Sequence, residues 1–343
     1  MPRILVTGGC GYIGSHTLID LVENGYEAVS IDNLLRSNGS LLGGVERITG
    51  RRIQNHKIDL CDAAALRSFF ENDRAFDGII HFAALKAVGE SVEQPLLYYR
   101  NNLASHLNLL DCVERYNIPS FVFSSSCSVY GNVETLPVTE NTPRQEAASP
   151  YANTKRIGED MLFDLAPRSK NRFVALRYFN PVGAHPSGLV GEEPQGTPNN
   201  LVPVITQTAA GILPQITVHG TDYPTRDGTC IRDYIHVMDI ARAHRLAFEN
   251  MNKMQNGKVE VINLGSGNGV SVKEMIDAFE KTTSQKLNYS NGPRRAGDVV
   301  QIYADNSKAK RLIGWQPEYD VNDMMRTAWQ WEMNRGKSVA AAR

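Results

Sequence analysis

The chain has 343 residues, 36 Lys and Arg against 37 Asp and Glu, and a formal net charge of −1. That length supports one large domain or two modest ones with a substantial core, and the balanced charge excludes a general attraction for nucleic acid or an anionic membrane, so any anion site has to be local. Five scattered cysteines (Cys10, Cys61, Cys112, Cys127, Cys230) lack CxxC spacing, which points to a reduced, cytoplasmic chain with no metal site rather than a disulfide scaffold.

"RILVTGG" at the start reads as a buried strand running into a glycine turn, not as a signal peptide or membrane helix. A helix is predicted over residues 13–25, stopped by Gly25. The strand "EAVSIDN" ends at Asp32, and a third strand ends near Asp59 in "RRIQNHKIDL". A helix around "AAALRSFFEN" follows, then a fourth strand, "FDGIIHFAA", apolar almost throughout, as expected when both faces are covered. A long helix is predicted from about Gln94 to Asn117, with Pro95 tolerated in its first turn. Next come the strand "SFVFSSS", a helix carrying "SPYANTK", and the strand "RFVALRYFN". This alternation predicts an α/β fold with a doubly wound parallel sheet (Rossmann) over residues 1–180.

Residues 181–203 hold five prolines, which marks a linker or a functional loop. Beyond them lie a short helix, a strand "QITVHG", the segment "CIRDYIHVMDIARAHRLAFEN", a strand "VEVINLG", a helix opened by the capping box "SVKE", and helices near 307–313 and 320–334. Residues 181–343 read mainly as a smaller α/β substrate lobe, with some segments returning to the first domain. A crevice between the two is the expected binding site.

"TGGCGYIG" contains two overlapping patterns: Gly9, Gly11 and Gly14 fit G-x-G-x-x-G, and Gly8, Gly11 and Gly14 fit G-x-x-G-x-x-G. Either lets backbone N–H groups approach a pyrophosphate at a helix N-terminus. The plainer alternative is a tight turn with close helix–strand packing, but here the motif follows a predicted strand and opens a predicted helix. Asp32, 18 residues past Gly14, ends the next strand. A carboxylate there accepts hydrogen bonds from the adenosine ribose and repels a 2′-phosphate, favouring NAD over NADP; nearby Arg36 acts against that preference, and a simple strand-end turn would also use an Asp.

Tyr151 and Lys155 stand at i, i+4 on one helix face. Most such pairs are solvated surface pairs. Beside a dinucleotide, the lysine charge would lower a phenol pKa that is ordinarily near 10, so that the phenolate removes a proton from a substrate hydroxyl while hydride goes to NAD. Ser124, Ser125 and Ser126 end a strand at the carboxyl edge where ligands bind, and are candidates to hold that hydroxyl; serines also simply cap turns there.

The glycine turn, the serine-rich strand end and Tyr-x-x-x-Lys together resemble the extended short-chain dehydrogenase/reductase family. "FAALKAVGESV", "YYRNNL", "SPYANTK", "LRYFNPVGAHPSG", "PNNLVP", "DGTCIRDYIHVMD" and "RRAGDV" are similar, in order and spacing, to the UDP-glucose 4-epimerases within it, from about residue 3 to about residue 332. The resemblance implies 4-epimerisation of UDP-glucose and UDP-galactose through a transient 4-keto sugar, with NAD kept bound. It implies Tyr151 as acid/base, Ser126 on the sugar 4-oxygen and Lys155 on the nicotinamide ribose. NAD would be held by Gly8, Gly11, Tyr12, Ile13, Gly14, Asp32, Asn33, Asp59, Leu60, Phe82, Ala83, Lys86, Asn101, Ser124 and Phe179, with Tyr151 and Lys155. The UDP-hexose contacts fall on Ser126, Asn180, Asn200, Leu201, His219 (where many members carry an aromatic ring), Arg232, Arg295 and Asp298. Ile302 stands where the family gates room for a 2-acetamido group, which implies UDP-glucose and UDP-galactose as the main pair and leaves N-acetylated UDP-hexoses open. Phe82 and Phe179 could equally be core, and Asn101 a helix cap. The resemblance also implies a homodimer. A sugar-nucleotide dehydratase would resemble "TDEVYG" where this chain reads "SCSVYG", with Cys127 and Ser128 in place of the Asp and Glu. A non-catalytic NAD-binding module is the remaining alternative, and such proteins often lack the Tyr or Lys that this chain has.

Overall fold

The computed structural model describes residues 1–73, 75–295 and 298–341, with side chains described as far as residue 336. In chain order the first half contains β1 (Arg3–Thr7), α1 (Tyr12–Glu23), β2 (Glu27–Ile31), α2 (Ser40–Thr49), β3 (Asn55–His56), α3 (Ala63–Asn72), β4 (Gly78–His81), α4 (Val88–Glu93), α5 (Pro95–Arg115), β5 (Ser120–Ser124), α6 (Pro150–Leu165) and β6 (Arg172–Tyr178). The second half contains β7 (Asn180–Val182), α7 (Leu201–Ala209), β8 (Ile216–His219), β9 (Ile231–His236), α8 (Val237–Glu249), β10 (Val259–Leu264), β11 (Gly269–Ser271), α9 (Val272–Thr283), β12 (Tyr289–Gly292), β13 (Gln301–Ile302), α10 (Ser307–Ile313) and α11 (Val321–Ala341).

Seven parallel strands in the order β10-β6-β5-β4-β1-β2-β3 form the main sheet. Strand alternation sends Ile4 and Val6 of β1 into one core with Leu18, Ile80, Val174 and Trp315, and Leu5 into the opposite core with Val29, Ile79, Phe121 and Phe173. Both faces are dry, which is why these strands are apolar without a polar register. Each fully buried Ile or Leu contributes about 1.5–3 kcal/mol relative to exposure.

Three details differ from the sequence reading. The third strand is two residues long, because its ladder ends at His56, before Asp59. The long helix starts at Pro95, as expected, but a separate short helix, α4, precedes it and ends at Glu93; Gln94 between them is non-helical, with φ −129 and ψ 59. Asn101 lies inside α5, not at its cap.

The strand "VEVINL", read among the smaller-lobe elements, is β10 and pairs with β6 in the main sheet from Val259↔Phe173 to Leu264↔Tyr178. Helices α8 and α10 also return to the main-sheet core, through Ile240, Ala243, Ala309 and Ile313, and the remainder of the second half gathers on β9, which pairs with β7, β11 and β13, while β8 pairs with β12. Its own core holds Ile205, Ile216, Val218, Met275, Phe279 and Met325. The "SVKE" capping box opens α9: Ser271 Oγ accepts from Glu274 N, and Glu274 accepts from Ser271 N at 2.8 Å. Among the described residues no helix is long and apolar enough to cross a membrane, and no cluster of three potential metal ligands occurs.

Candidate active site

The glycine turn between β1 and α1 lies at the carboxyl edge of the sheet, and its glycines have separate duties. Gly8 has φ +73, and a Cβ there would sit 2.9 Å from Ala83 N. A Cβ on Gly14 would come within 2.2 Å of the Gly8 carbonyl oxygen, so the first turn of α1 packs directly on the loop. Gly9 abuts Ser30. Gly11 is the N-cap of α1, in extended conformation and without a side-chain cap, so the helix presents bare N–H groups. Asp32 follows β2 and organises this loop: its carboxylate accepts from Cys10 N (3.1 Å), Leu34 N (2.9 Å) and Ser37 Oγ (3.4 Å). Burial pushes its pKa up, and those hydrogen bonds pull it back. A cradle that side chains would fill, a helix N-terminus and a carboxylate on the neighbouring strand end fit a dinucleotide.

The other residues expected around it fall along the same edge. Asn33 and Asp59 accept from the backbone two residues on, at Leu35 and Cys61. The Leu60 carbonyl accepts from Asn108. Ala83 N lies 3.4 Å from Thr7 Oγ1, Asn101 Nδ2 donates to Asn102, and Ile13 packs on the core. Tyr12 is committed elsewhere: its hydroxyl donates to the Gly183 carbonyl at 2.6 Å, pinning α1 to the segment after β7. Phe82 packs against His244 of α8 with ring centroids 4.5 Å apart and planes tilted by 50°, and Phe179 is buried with Val129, Tyr130, Ile302 and Ala304, so packing accounts for both rings.

β5 ends in the three serines, and each turns to a different partner. Ser124 Oγ lies 2.7 Å from the Tyr178 hydroxyl. Ser125 points inward and donates to Glu159 at 2.6 Å. Ser126 caps the 3-10 turn Cys127–Tyr130 by accepting from Ser128 N, and its side chain neighbours the Tyr151 phenol. Ser149 caps α6 and Pro150 opens it, which sets Tyr151 in its first turn. Lys155, one turn later and 5% exposed, donates from Nζ to the Ser124 carbonyl at 2.7 Å. Tyr151, Ser126 and Lys155 thus meet at one strand end. Burial lowers the Lys155 pKa to about 8, and the Glu159 charge acts the other way. Burial and the neighbouring Tyr178 raise the Tyr151 phenol above its ordinary value, and the Ser126 side chain acts the other way.

The second half supplies the facing wall. Arg232 on β9 is held by the Val299 carbonyl (2.5 Å) and the Ile231 carbonyl (3.0 Å), and lies 3.6 Å from Asp298. Arg295 donates to the same Asp298 oxygen at 2.9 Å, so one carboxylate gathers two guanidiniums. Asn180 is half-buried on β7, Asn200 is the N-cap of α7, Leu201 packs on the lobe core, and His219 is exposed at the end of β8. Ile302 is 6% exposed, in the cluster with Phe179 and Cys127; Tyr303 points to the other face, against Gly269.

Two residues went unread in the sequence. Glu192 accepts from Lys86 Nζ (3.2 Å) and Asn200 Nδ2 (2.8 Å), linking the two halves across the crevice. Glu159, fully buried, pairs with Arg177 of β6 through Nε (2.8 Å) and Nη2 (2.6 Å). Neither carboxylate carries a local motif, because the cations they meet, Lys86 and Arg177, lie 106 and 18 positions away.

Comparison with known proteins bears on this arrangement. Residues 5–328 match the family described as GDP-mannose 4,6 dehydratase. The UDP-glucose 4-epimerase of Bacillus subtilis is 47% identical over 340 residues, covering 99% of each chain. The crystal structure of the UDP-glucose 4-epimerase of Stenotrophomonas maltophila with bound NAD and formylated UDP-arabinopyranose superposes with a TM-score of 0.95, at 42% identity, over 98% of this chain and all of that one. That of Bifidobacterium longum, in complex with NAD+ and UDP, gives a TM-score of 0.91 at 44% identity, over 97% and 99% of the two chains.

Proposed function

We propose that this chain, which belongs to the UDP-glucose 4-epimerase family, reversibly interconverts UDP-glucose and UDP-galactose with NAD as its retained cofactor. Bound NAD supplies the chemistry that no side chain has, accepting hydride from carbon 4 of the sugar and returning it. The observation that carries the reading is the convergence of the Tyr151 phenol, Ser126 hydroxyl and Lys155 ammonium beside the glycine cradle.

In this reading Tyr151 takes the proton of the 4-hydroxyl and gives it back, and Ser126 holds that oxygen between the two events. Burial alone would keep the phenol protonated, so its activation rests on positive charge: the Lys155 ammonium and the nicotinamide cation. Lys155 also reaches the nicotinamide ribose. Gly8, Gly11 and Gly14 admit the pyrophosphate, Asp32 takes the adenosine ribose, and Tyr12, Ile13, Asn33, Asp59, Leu60, Phe82, Ala83, Lys86, Asn101, Ser124 and Phe179 line the remainder. Arg232 and Arg295 grip the diphosphate, with Asn180, Asn200, Leu201, His219 and Asp298 around the nucleotide. Binding energy then lies away from the reacting carbon, which lets the 4-keto sugar turn and present its other face.

The matched dehydratase family raises the question of elimination, which needs an acid and a base beside the sugar. Here Cys127 stands at that strand end with its thiol pushed up to about 12 by burial, a neutral group, which favours epimerisation. The reading extends to a cytoplasmic homodimer. Leu96 and Leu107 of α5, Val92 of α4 and Phe163 of α6 are exposed, and an apolar face of that kind supports self-association.

The test is to purify the protein, release any bound dinucleotide, and assay UDP-galactose conversion with no cofactor added. Tyr151→Phe should keep the dinucleotide and lose about 10²- to 10⁴-fold in kcat; full turnover by that variant would defeat the role given to Tyr151. Light scattering on the eluted peak checks the dimer.

A further inference from the structure

A small chamber adjoins Lys155, bounded by His81 of β4, Ala83, Asn102 and His106 of α5, Phe123 of β5, and Thr154 of α6. Its volume, about 10 Å³, is the room one water needs. His106 is 1% exposed, and its Nε2 lies 3.2 Å from the Gly158 carbonyl. A carbonyl can only accept, so Nε2 carries the hydrogen. The ring is neutral, because burial and the nearby Lys155 charge lower its pKa to about 3. Nδ1 is therefore a bare acceptor, and it has no protein partner. On the other side, Lys155 has three N–H groups and spends one on Ser124 O. Thr154 Oγ1 gives its proton to the Tyr151 carbonyl at 2.7 Å and accepts from Asn102 at 3.1 Å, keeping one lone pair.

From this geometry we propose that one water occupies the chamber, accepts a hydrogen bond from the Lys155 ammonium and donates to His106 Nδ1, making His106 a positioning residue for Lys155. The inference rests on the reading of Lys155 as the group that serves Tyr151. The water satisfies the orphaned imidazole nitrogen, whose burial without a partner is otherwise unfavourable, and its second hydrogen suits Thr154. The ammonium is then held from behind as well as by Ser124. The remaining polar surroundings are accounted for. His81, also neutral, is bonded through Nδ1 to Thr7 at 2.7 Å and stacks on His106; Glu159 is paired with Arg177; β5 contributes the Phe123 ring and the Ser124 carbonyl.

Two variants of the full chain separate positioning from packing. His106→Leu removes the acceptor, while His106→Gln keeps an amide oxygen that the water can use. Removing one hydrogen bond made to a charged group should move the alkaline limb of kcat for UDP-galactose down by about one pH unit in His106→Leu. His106→Gln should stay near the parent protein, and KM should not move, since the nucleotide contacts lie on the other wall. A high-resolution crystal structure of the unmodified protein should show the water within hydrogen-bonding distance of Lys155 Nζ and His106 Nδ1. An unmoved alkaline limb in His106→Leu, an equal loss at all pH in both variants, or a crystal structure without that water each overturns the inference. The crystal structure decides it even where His106→Leu fails to fold. An unmodified protein that holds the water and lacks epimerase activity defeats the reading of Lys155 instead.

Discussion

Replacing Glu159 by glutamine should destabilise this protein by about 3–5 kcal/mol, the cost of stranding one charge of a buried pair. Glu159 is fully buried and Arg177 is 3% exposed. The carboxylate accepts from Arg177 through two bonds, from Ser125 at 2.6 Å, and from Arg144 at 3.4 Å. Glutamine keeps Oε1 for Ser125 and Arg177 Nε, but its amide N–H₂ then faces Arg177 Nη2 and Arg144, donor against donor. The guanidinium already has one buried Nη1 without a partner, so it has no spare neutralisation nearby. At about 2 °C per kcal/mol for a chain of this length, Tm should fall by roughly 6–10 °C. The measurement is thermal unfolding by circular dichroism at constant excess NAD, which holds ligand stabilisation fixed. A second variant sharpens the test: Glu159→Leu with Arg177→Met removes both charges and should recover most of the loss. A Tm within about 2 °C of the parent for Glu159→Gln, or a double variant no more stable than the single one, would refute the stranded-charge argument.

Gly14→Ala should yield protein with little or no bound dinucleotide, because its Cβ would meet the Gly8 carbonyl oxygen at 2.2 Å and the loop must move; absorbance of the heat-released cofactor measures this. For Lys155, burial sets the folded-state pKa near 8 against an ordinary 10.5. Between those values the unfolded chain holds the extra proton, so the contribution of Lys155 to stability rises with pH through that window. Activity runs the other way, falling above about pH 8 as the ammonium loses its charge; urea midpoints and kcat across pH 7–10 check both signs. Ile302→Tyr should abolish conversion of UDP-N-acetylgalactosamine and spare UDP-galactose, and no detectable N-acetylhexosamine turnover by the parent protein would remove the wider substrate range.

Much of the architecture was legible because it is written locally. The run "GIIH" is apolar at every position except its end, and that pattern suits a strand covered on both faces. "TGGCGYIG" carries its turn in residues that tolerate close approach, and "SPYANTK" carries an N-cap, an opening proline and a fixed i, i+4 spacing. Within "SSS", composition alone could not divide the labour. Only folding sends Ser125 inward to Glu159 and Ser126 out to Tyr151.

The amino-acid sequence by itself determined the period of each element, the order of strands and helices, and the spacing of Tyr151 and Lys155, since all of these depend on neighbours a few residues apart. Tertiary structure alone decided that Val259–Leu264 would complete the sheet begun by residue 3, that Arg177 would neutralise Glu159, and that Glu192 would join Lys86 to Asn200. It also buried the Tyr151 phenol beside Tyr178, which raises its pKa. These contacts join residues from 8 to 106 positions apart, and no local pattern encodes which partner a carboxylate, a guanidinium or a strand edge will meet.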